Sequence, residues 1–197
     1  CLVGSEMCIR DRGMHNWPGM DVGKVGVHDG ACMAAADMFE IYLTGIGGHA
    51  AMPDTGIDPI PCGAALVQSL QTIVSRRIPP LQSAVVSVTI FEAGSALNVI
   101  PDTVRLGGTA RSFSPEIRRL LQKAIQDVAE STAKAYGCKI AFDWKPGYPP
   151  TINHAESAAR ATAIASHIVG ADNIIANPEP SMGCLLYTSD AADDDHC

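Results

Sequence analysis

The sequence lacks the marks of several broad protein classes. No apolar run approaches the length of a membrane-spanning helix, so a bilayer is not the expected environment. Lys and Arg number 14 against 21 Asp and Glu. The cations form no stripe, which argues against nucleic acid as a partner. A disulfide framework is missing too. Of seven cysteines, Cys1, Cys8, Cys184 and Cys197 sit in the terminal stretches. That leaves Cys32, Cys62 and Cys138, odd in number and irregularly spaced, which reads as reduced thiols in a cytoplasmic protein. What is present is apolar bulk: 47% of the 197 residues are hydrophobic and 18% charged, enough for one good core, or one domain with fragments of another.

The last residues, "DAADDDHC", resemble a metal site at first sight. Asp193, Asp194 and Asp195 offer hard oxygens, and His196 and Cys197 offer nitrogen and sulfur. Five consecutive residues do not converge on one ion without a folded surrounding to orient them. The other terminus supplies a different explanation. Met7 to Asp11, "MCIRD", can be written ATG TGT ATA AGA GAC, and Cys184 to Ser189, "CLLYTS", can be written TGT CTC TTA TAC ACA TCT; overlapped, one string is the reverse complement of the other. Both resemble translated arms of a transposon-end adapter used in sequencing libraries. Residues 1–12 and 184–197 are therefore set apart from fold and function, as an expression tag would be. They are expected to share no core with residues 13–183, which read as an internal piece of a longer reading frame.

Periodicity organises that piece. "DMFEIYLTGIGG" alternates Phe39, Ile41 and Leu43 with polar neighbours and ends in glycines, the pattern of a half-buried strand entering a tight loop. "DPIPCGAALVQSLQTIVSRR" predicts a helix with Asp58 as N-cap, Pro59 in the first turn, and Arg76 and Arg77 at the C-terminal end of its dipole. "SAVVSVTIFEAG" and "TVRLGGTARSF" predict two strands joined through "SALNVIPD". A second helix runs from Ser114, its cap, to about Tyr136, where Gly137 stops it. "CKIAFDW" closes the series. The fold class expected is α+β: a β-α-β-β-α-β unit, with four antiparallel strands in one sheet and two helices on one face. The flanks cannot make a core alone, and the helix in "HAESAARATAIASHIVG" is expected to have nothing to pack on. The unit therefore reads as an insertion in a larger domain.

These segments carry a resemblance. "MHNWPGMDVGKVGV", "GGHAAMPDTGIDPI", "VVSV" with "NVIPD", "GTARSF", "GYPPTINH" and "PSMG" occur in the order found in the M20 family of metal-dependent amidohydrolases, particularly its hippurate hydrolase and indole-acetyl-amino-acid hydrolase branch. The resemblance implies that residues 37–147 are a lid and dimerisation domain, while residues 13–36 and 148–183 are pieces of an α/β catalytic domain that binds two divalent ions (Zn, Mn, Co or Ni). It also implies hydrolysis of the amide of an N-acyl amino acid, either hippurate-like, indole-acetyl or N-acetyl-diaminopimelate, by a homodimer.

Residue by residue, His15 in "HNWP" reads on its own as an ordinary surface or core histidine, and the resemblance makes it a metal ligand. His49 in "GGHAAMP" reads as a loop histidine satisfied by a backbone carbonyl. The resemblance makes it the lid residue that reaches the partner's active site and hydrogen-bonds the scissile carbonyl oxygen as it becomes anionic. Asn98 has a turn-forming reading beside an implied role in substrate binding. Arg111 reads as a solvated strand residue, and the resemblance makes it a clamp for the substrate carboxylate. Ile46 stands where relatives often have Lys. The paired glutamates and the remaining metal ligands of the family fall outside residues 13–183, so this piece alone is expected to be inactive. The competing reading is a non-catalytic dimerising or small-molecule-binding module built on the β-α-β-β-α-β unit.

Overall fold

The computed structural model describes residues 13–183. The adapter-like ends, and with them the acidic stretch at Asp193–Cys197, lie outside the described residues. Six elements make the central unit: strand β1 (Ala35–Thr44), helix α1 (Pro59–Arg76), strands β2 (Ala84–Ala93) and β3 (Thr103–Ser112), helix α2 (Pro115–Ala135) and strand β4 (Lys139–Lys145). The four strands form one sheet in the order β2-β3-β1-β4, and every neighbouring pair is antiparallel. This is the α+β arrangement expected from the sequence.

Both helices begin where the sequence places them. The Asp58 carboxylate accepts the Ile60 N–H at 2.9 Å, and the Ser114 hydroxyl accepts the Ile117 N–H at 3.2 Å. Each cap satisfies a donor that the first helical turn leaves open. Between helices and sheet lies one core, built from Phe39, Ile41 and Leu43 of β1, Leu66, Leu70 and Ile73 of α1, Val104 and Leu106 of β3, and Leu121 and Ile125 of α2. Strict alternation on β1 sends these residues to the helix side and Met38, Tyr42 and Thr44 to the other. Cys62 and Cys138 are both buried here as free thiols. Burial, then the neighbouring Cys138, pushes the Cys62 thiol up to about 12, so it stays protonated and behaves as a small apolar group.

One buried residue breaks the apolar pattern. Asp37 of β1 is 2% exposed on the helix side. Arg118 of α2 meets it with two guanidinium nitrogens, Nε donating to Oδ2 at 2.7 Å and Nη2 to Oδ1 at 2.5 Å. The Gly147 N–H adds a third hydrogen bond to Oδ1 at 2.9 Å, and the Gly147 carbonyl accepts from Arg118 Nη2 at 2.9 Å. A β-carbon at position 147 would lie 1.9 Å from the Ala36 carbonyl oxygen, so only glycine fits there. Asp37 in turn holds the Arg118 guanidinium above its ordinary pKa.

The helix-free face carries charge instead. Arg105 of β3 pairs with Glu40 of β1 at 2.9 Å and with Glu92 of β2 at 3.0 Å, while Lys145 of β4 reaches Glu40 at 3.2 Å. The ladder thus crosses all four strands. Tyr42 donates to Glu40 at 2.6 Å, and this bond, followed by those from Arg105 and Lys145, lowers the Glu40 carboxyl to about 2.

Outside the unit the two flanks pair with each other. Val25–Val27 runs parallel to Ile174–Ala176, and Gly30–Met33 antiparallel to Thr151–Asn153. Helix α3 (Ala155–Val169) packs on Val25–Val27 and Ile174–Ala176. This corrects the expectation that it would have nothing to pack on: its partner strands come from both ends of the described chain, a pairing no local pattern reveals. The packing is thin all the same. Ala158 is its one buried residue, and Ile164 and Ile168 are 63% and 77% exposed. Among the described residues no helix is long and apolar enough to cross a membrane.

Asp37→Ala leaves Arg118 partly buried without its counter-charge and Gly147 without an acceptor, so it is expected to cost about 3 kcal/mol in urea unfolding, whereas Asp37→Leu combined with Arg118→Met should recover much of the loss. For Glu40, whose folded pKa lies below its ordinary 4.5, the stabilisation is complete above about pH 4.5 and is lost as pH falls toward 2. Glu40→Gln should therefore flatten the pH dependence of the unfolding midpoint in that window and leave its slope at neutral pH unchanged.

Candidate functional site

At the end of β1 the chain leaves the sheet through Gly45–Gly47 and makes a short antiparallel pairing, Gly48 with Ile100 and His49 with Val99. Three other contacts hold this loop. Ile46 and Ile57 exchange backbone hydrogen bonds, each 2.9 Å. The Gly45 N–H reaches the Asp102 carbonyl at 2.8 Å, and the Gly47 N–H reaches the Asp102 carboxylate, also at 2.8 Å. The approach is close: a β-carbon at Gly47 would stand 2.6 Å from the Ile100 carbonyl oxygen and 2.8 Å from Asp102 Oδ1. The glycines that read as a tight loop in the sequence are what lets two loops touch backbone to backbone.

His49 projects from this tip and is exposed. Its Nδ1 accepts the Ala51 N–H at 3.1 Å, and its carbonyl accepts the Met52 N–H at 2.9 Å. Asn98 stands beside it on the facing loop, where its carbonyl accepts the Ala50 N–H at 3.1 Å. The Asn98 backbone thus braces the histidine turn while its exposed side chain stays on the same tip. The two loops also leave Ile46, Met52, Leu97 and Val99 exposed, Leu97 completely.

Arg111 is elsewhere. It lies near the C-terminal end of β3, level with Ala36 and Val85, half-buried, its Nε donating to Thr109 Oγ1 at 3.1 Å. The His49 tip adjoins the opposite end of β3, beyond Thr103. Eight residue steps along a strand span roughly 26 Å, so within one chain the structure brings His49 and Asn98 together and keeps Arg111 far from both.

His15 lies in the N-terminal flank, its Nδ1 against the Asn16 carbonyl oxygen and its ring edge-on to Trp17 with centroids 6.1 Å apart. Among the described residues no three His, Cys, Asp or Glu side chains come together in a way that could hold a metal ion. The residues described therefore do not make a metal centre; His15 offers one ligand at most. Asp102 is the residue that ties this loop down. It stood in plain view in "NVIPD", but its importance rests on the loop it meets, 55 residues earlier.

Comparison with known proteins places this architecture. The family model described as the peptidase dimerisation domain matches residues 35–137. The N-acetylcysteine deacetylase of Bacillus subtilis is 40% identical over 168 residues, covering 85% of this chain and 44% of that protein. The N-acyl-L-amino acid amidohydrolase of Geobacillus stearothermophilus is 42% identical over 148 residues, 75% of this chain and 40% of that one. Among solved structures, the YXEP protein of Bacillus subtilis, described as a dinuclear metal binding peptidase from the M20 family, superposes with a TM-score of 0.71 at 33% identity, covering 90% of this chain and 44% of its own. The chain spans less than half the length of these relatives. Strand order, loop motifs and sequence likeness agree: the chain belongs to the M20 peptidase family, and residues 35–137 carry its dimerisation domain.

Proposed function

We propose that the chain is the lid-bearing part of an amidohydrolase that cleaves the amide bond of N-acyl amino acids, and that it works as a homodimer in which His49 serves the active site of the second subunit. The observation that carries this reading is the separation of His49 from Arg111 by the length of the sheet. Arg111 lies at the end where the chain enters and leaves the unit, beside Ala36; His49 lies at the far end. Two such sheets joined edge to edge about a two-fold axis perpendicular to the sheet run antiparallel, so the far end of each lies beside the near end of the other. One substrate can then meet Arg111 of one subunit at its carboxylate, and His49 and Asn98 of the other at its amide.

The edges of the sheet support the same assembly. β4 carries Lys139, Asp143 and Lys145, charges that discourage pairing, whereas β2 presents "AVVSVTIFEA" with no Lys and no Pro. The exposed apolar residues around His49 suit a tip that is covered in the working enzyme. In the reaction the oxygen of water bonds to the amide carbon and the carbonyl oxygen gains negative charge. The C–N bond then breaks, and the nitrogen leaves with a proton as the amine. An N–H of His49 directed at the carbonyl oxygen stabilises that charge, a contribution of about 3 kcal/mol where one such donor is removed. The Arg111 fork holds the carboxylate and so fixes which amide is presented. Two divalent ions are part of this reading for the whole enzyme, with His15 as one ligand and the other ligands supplied from beyond the residues described.

Sedimentation of the chain should show a dimer at micromolar concentration, and a Ser87→Lys, Thr89→Lys variant, which charges the same edge without entering the core, should shift it to monomer. A strictly monomeric wild type at high concentration would remove the interface and the trans role of His49 together. In the whole enzyme, His49→Gln and His15→Ala are each expected to lower kcat by about 100-fold or more. Mixing and re-equilibrating the two inactive variants should restore roughly a quarter of wild-type activity, because half the dimers are mixed and each mixed dimer regains one complete site. No recovery on mixing would mean that His49 serves its own subunit.

A further inference from the structure

The His49 ring has a fixed partner, and that partner decides where its proton sits. A backbone N–H can only donate, and the Ala51 N–H points at His49 Nδ1 from 3.1 Å. Nδ1 must therefore present its lone pair, and in the neutral ring the proton resides on Nε2. The ring is exposed at the loop tip, so the nitrogen left to meet anything outside the chain is the one that carries the hydrogen.

This arrangement rests on a short chain of contacts ending at one side chain. The turn holding Ala51 over the ring is set by the Met52 N–H to the His49 carbonyl and by the Ala50 N–H to the Asn98 carbonyl. His49 follows directly on the Gly47–Gly48 backbone, and Gly47 is tied to the Asp102 carboxylate at 2.8 Å. The backbone of Asp102 also receives the Gly45 N–H. Asp102 thus fastens the start of the loop at two points while its side chain, exposed at the turn before β3, has no place in the core.

We propose that the Ala51 amide locks His49 as the Nε2–H tautomer and that Asp102 is the positioning residue that keeps the loop in the geometry where this lock holds. His49 then donates a hydrogen bond as a neutral imidazole and needs no prior protonation to do so. The proposal rests on the reading of His49 as the donor to the substrate carbonyl, but it concerns the ring itself and can be tested without turnover.

The test is long-range nitrogen–proton NMR of the ¹⁵N-labelled full chain at mildly alkaline pH, where an imidazole is neutral. The His49 signals are identified by their loss in His49→Gln. The expected spectrum has Nε2 at a fully protonated position and Nδ1 at a fully unprotonated one, with a wider separation than the averaged pair of a histidine in an unstructured peptide. Asp102→Ala should narrow the separation toward that peptide value. Asp102→Asn should retain it, since its side-chain oxygen still accepts the Gly47 N–H. A proton on Nδ1, or a wild-type pattern equal to the unstructured peptide, overturns the tautomer assignment. An unchanged pattern in Asp102→Ala overturns the role of Asp102. Circular dichroism and the amide signals of the central sheet show whether each variant is folded, and the wild-type spectrum decides the tautomer whatever the variants do. The mixing experiment on the whole enzyme addresses the trans role separately, so either idea can fail while the other stands.

Discussion

The unit is closed by one carboxylate. Asp37 enters the core on β1 and is held from two directions, by Arg118 on α2 and by the Gly147 amide just after β4. These contacts tie the first strand, the second helix and the exit of the chain to one point, and the Ala36 N–H bonded to the Tyr148 carbonyl at 3.1 Å reinforces it. A buried charge is costly unless every part of it is satisfied. Here the penalty acts as a constraint: α2 can take one position along the sheet, because any slide that separates Arg118 from Asp37 strands both charges. The tight approach of Gly147 to Ala36 follows from the same point.

Two faces of one sheet are thus stabilised by different physics. Toward the helices the contribution comes from apolar burial around Phe39, Ile41 and Leu106. On the open face it comes from alternating charge, Glu92 to Arg105 to Glu40 to Lys145, each pair spanning neighbouring strands. Individually such exposed pairs contribute little. Their value lies in register, because a slip of one residue along β1 would turn Glu40 into the core and Phe39 out to water. The ladder and the core therefore specify the same strand alignment, and that alignment places the His49 loop against Asp102.

Much of this was legible beforehand. Asp58 and Ser114 announced their helices because capping chemistry is local, and the alternation of Phe39, Ile41 and Leu43 announced both the strand and its buried face. Asp37 gave no such signal, since an Asp at the head of a strand looks like a turn residue, and Arg118 looks like any cation on a helix surface. Their meaning lies 81 residues apart in the chain. The neighbours of α3 were hidden for the same reason. His49 and Asn98 could be singled out only through motifs. That Asn98 also braces the loop with its backbone, and that Arg111 stands at the other end of the sheet, depended on knowing how β3 lies against β1.

The proximity of Ala36 to Gly147 and Tyr148 has a consequence for how the chain reaches this state. To the strands at Gly30–Met33 and Thr151–Asn153, everything from Asp37 to Gly147 is the loop between them, 110 residues from end to end. Closing a flexible loop of that length costs about 4 kcal/mol in chain entropy, beyond a constant term. Three paired residues on each strand do not repay it. Once the central unit has folded and brought its own ends within one hydrogen bond of each other, the same two strands face only the cost of a short turn. Loop-closure entropy therefore favours an order in which the unit condenses first and the flanking strands find each other afterwards.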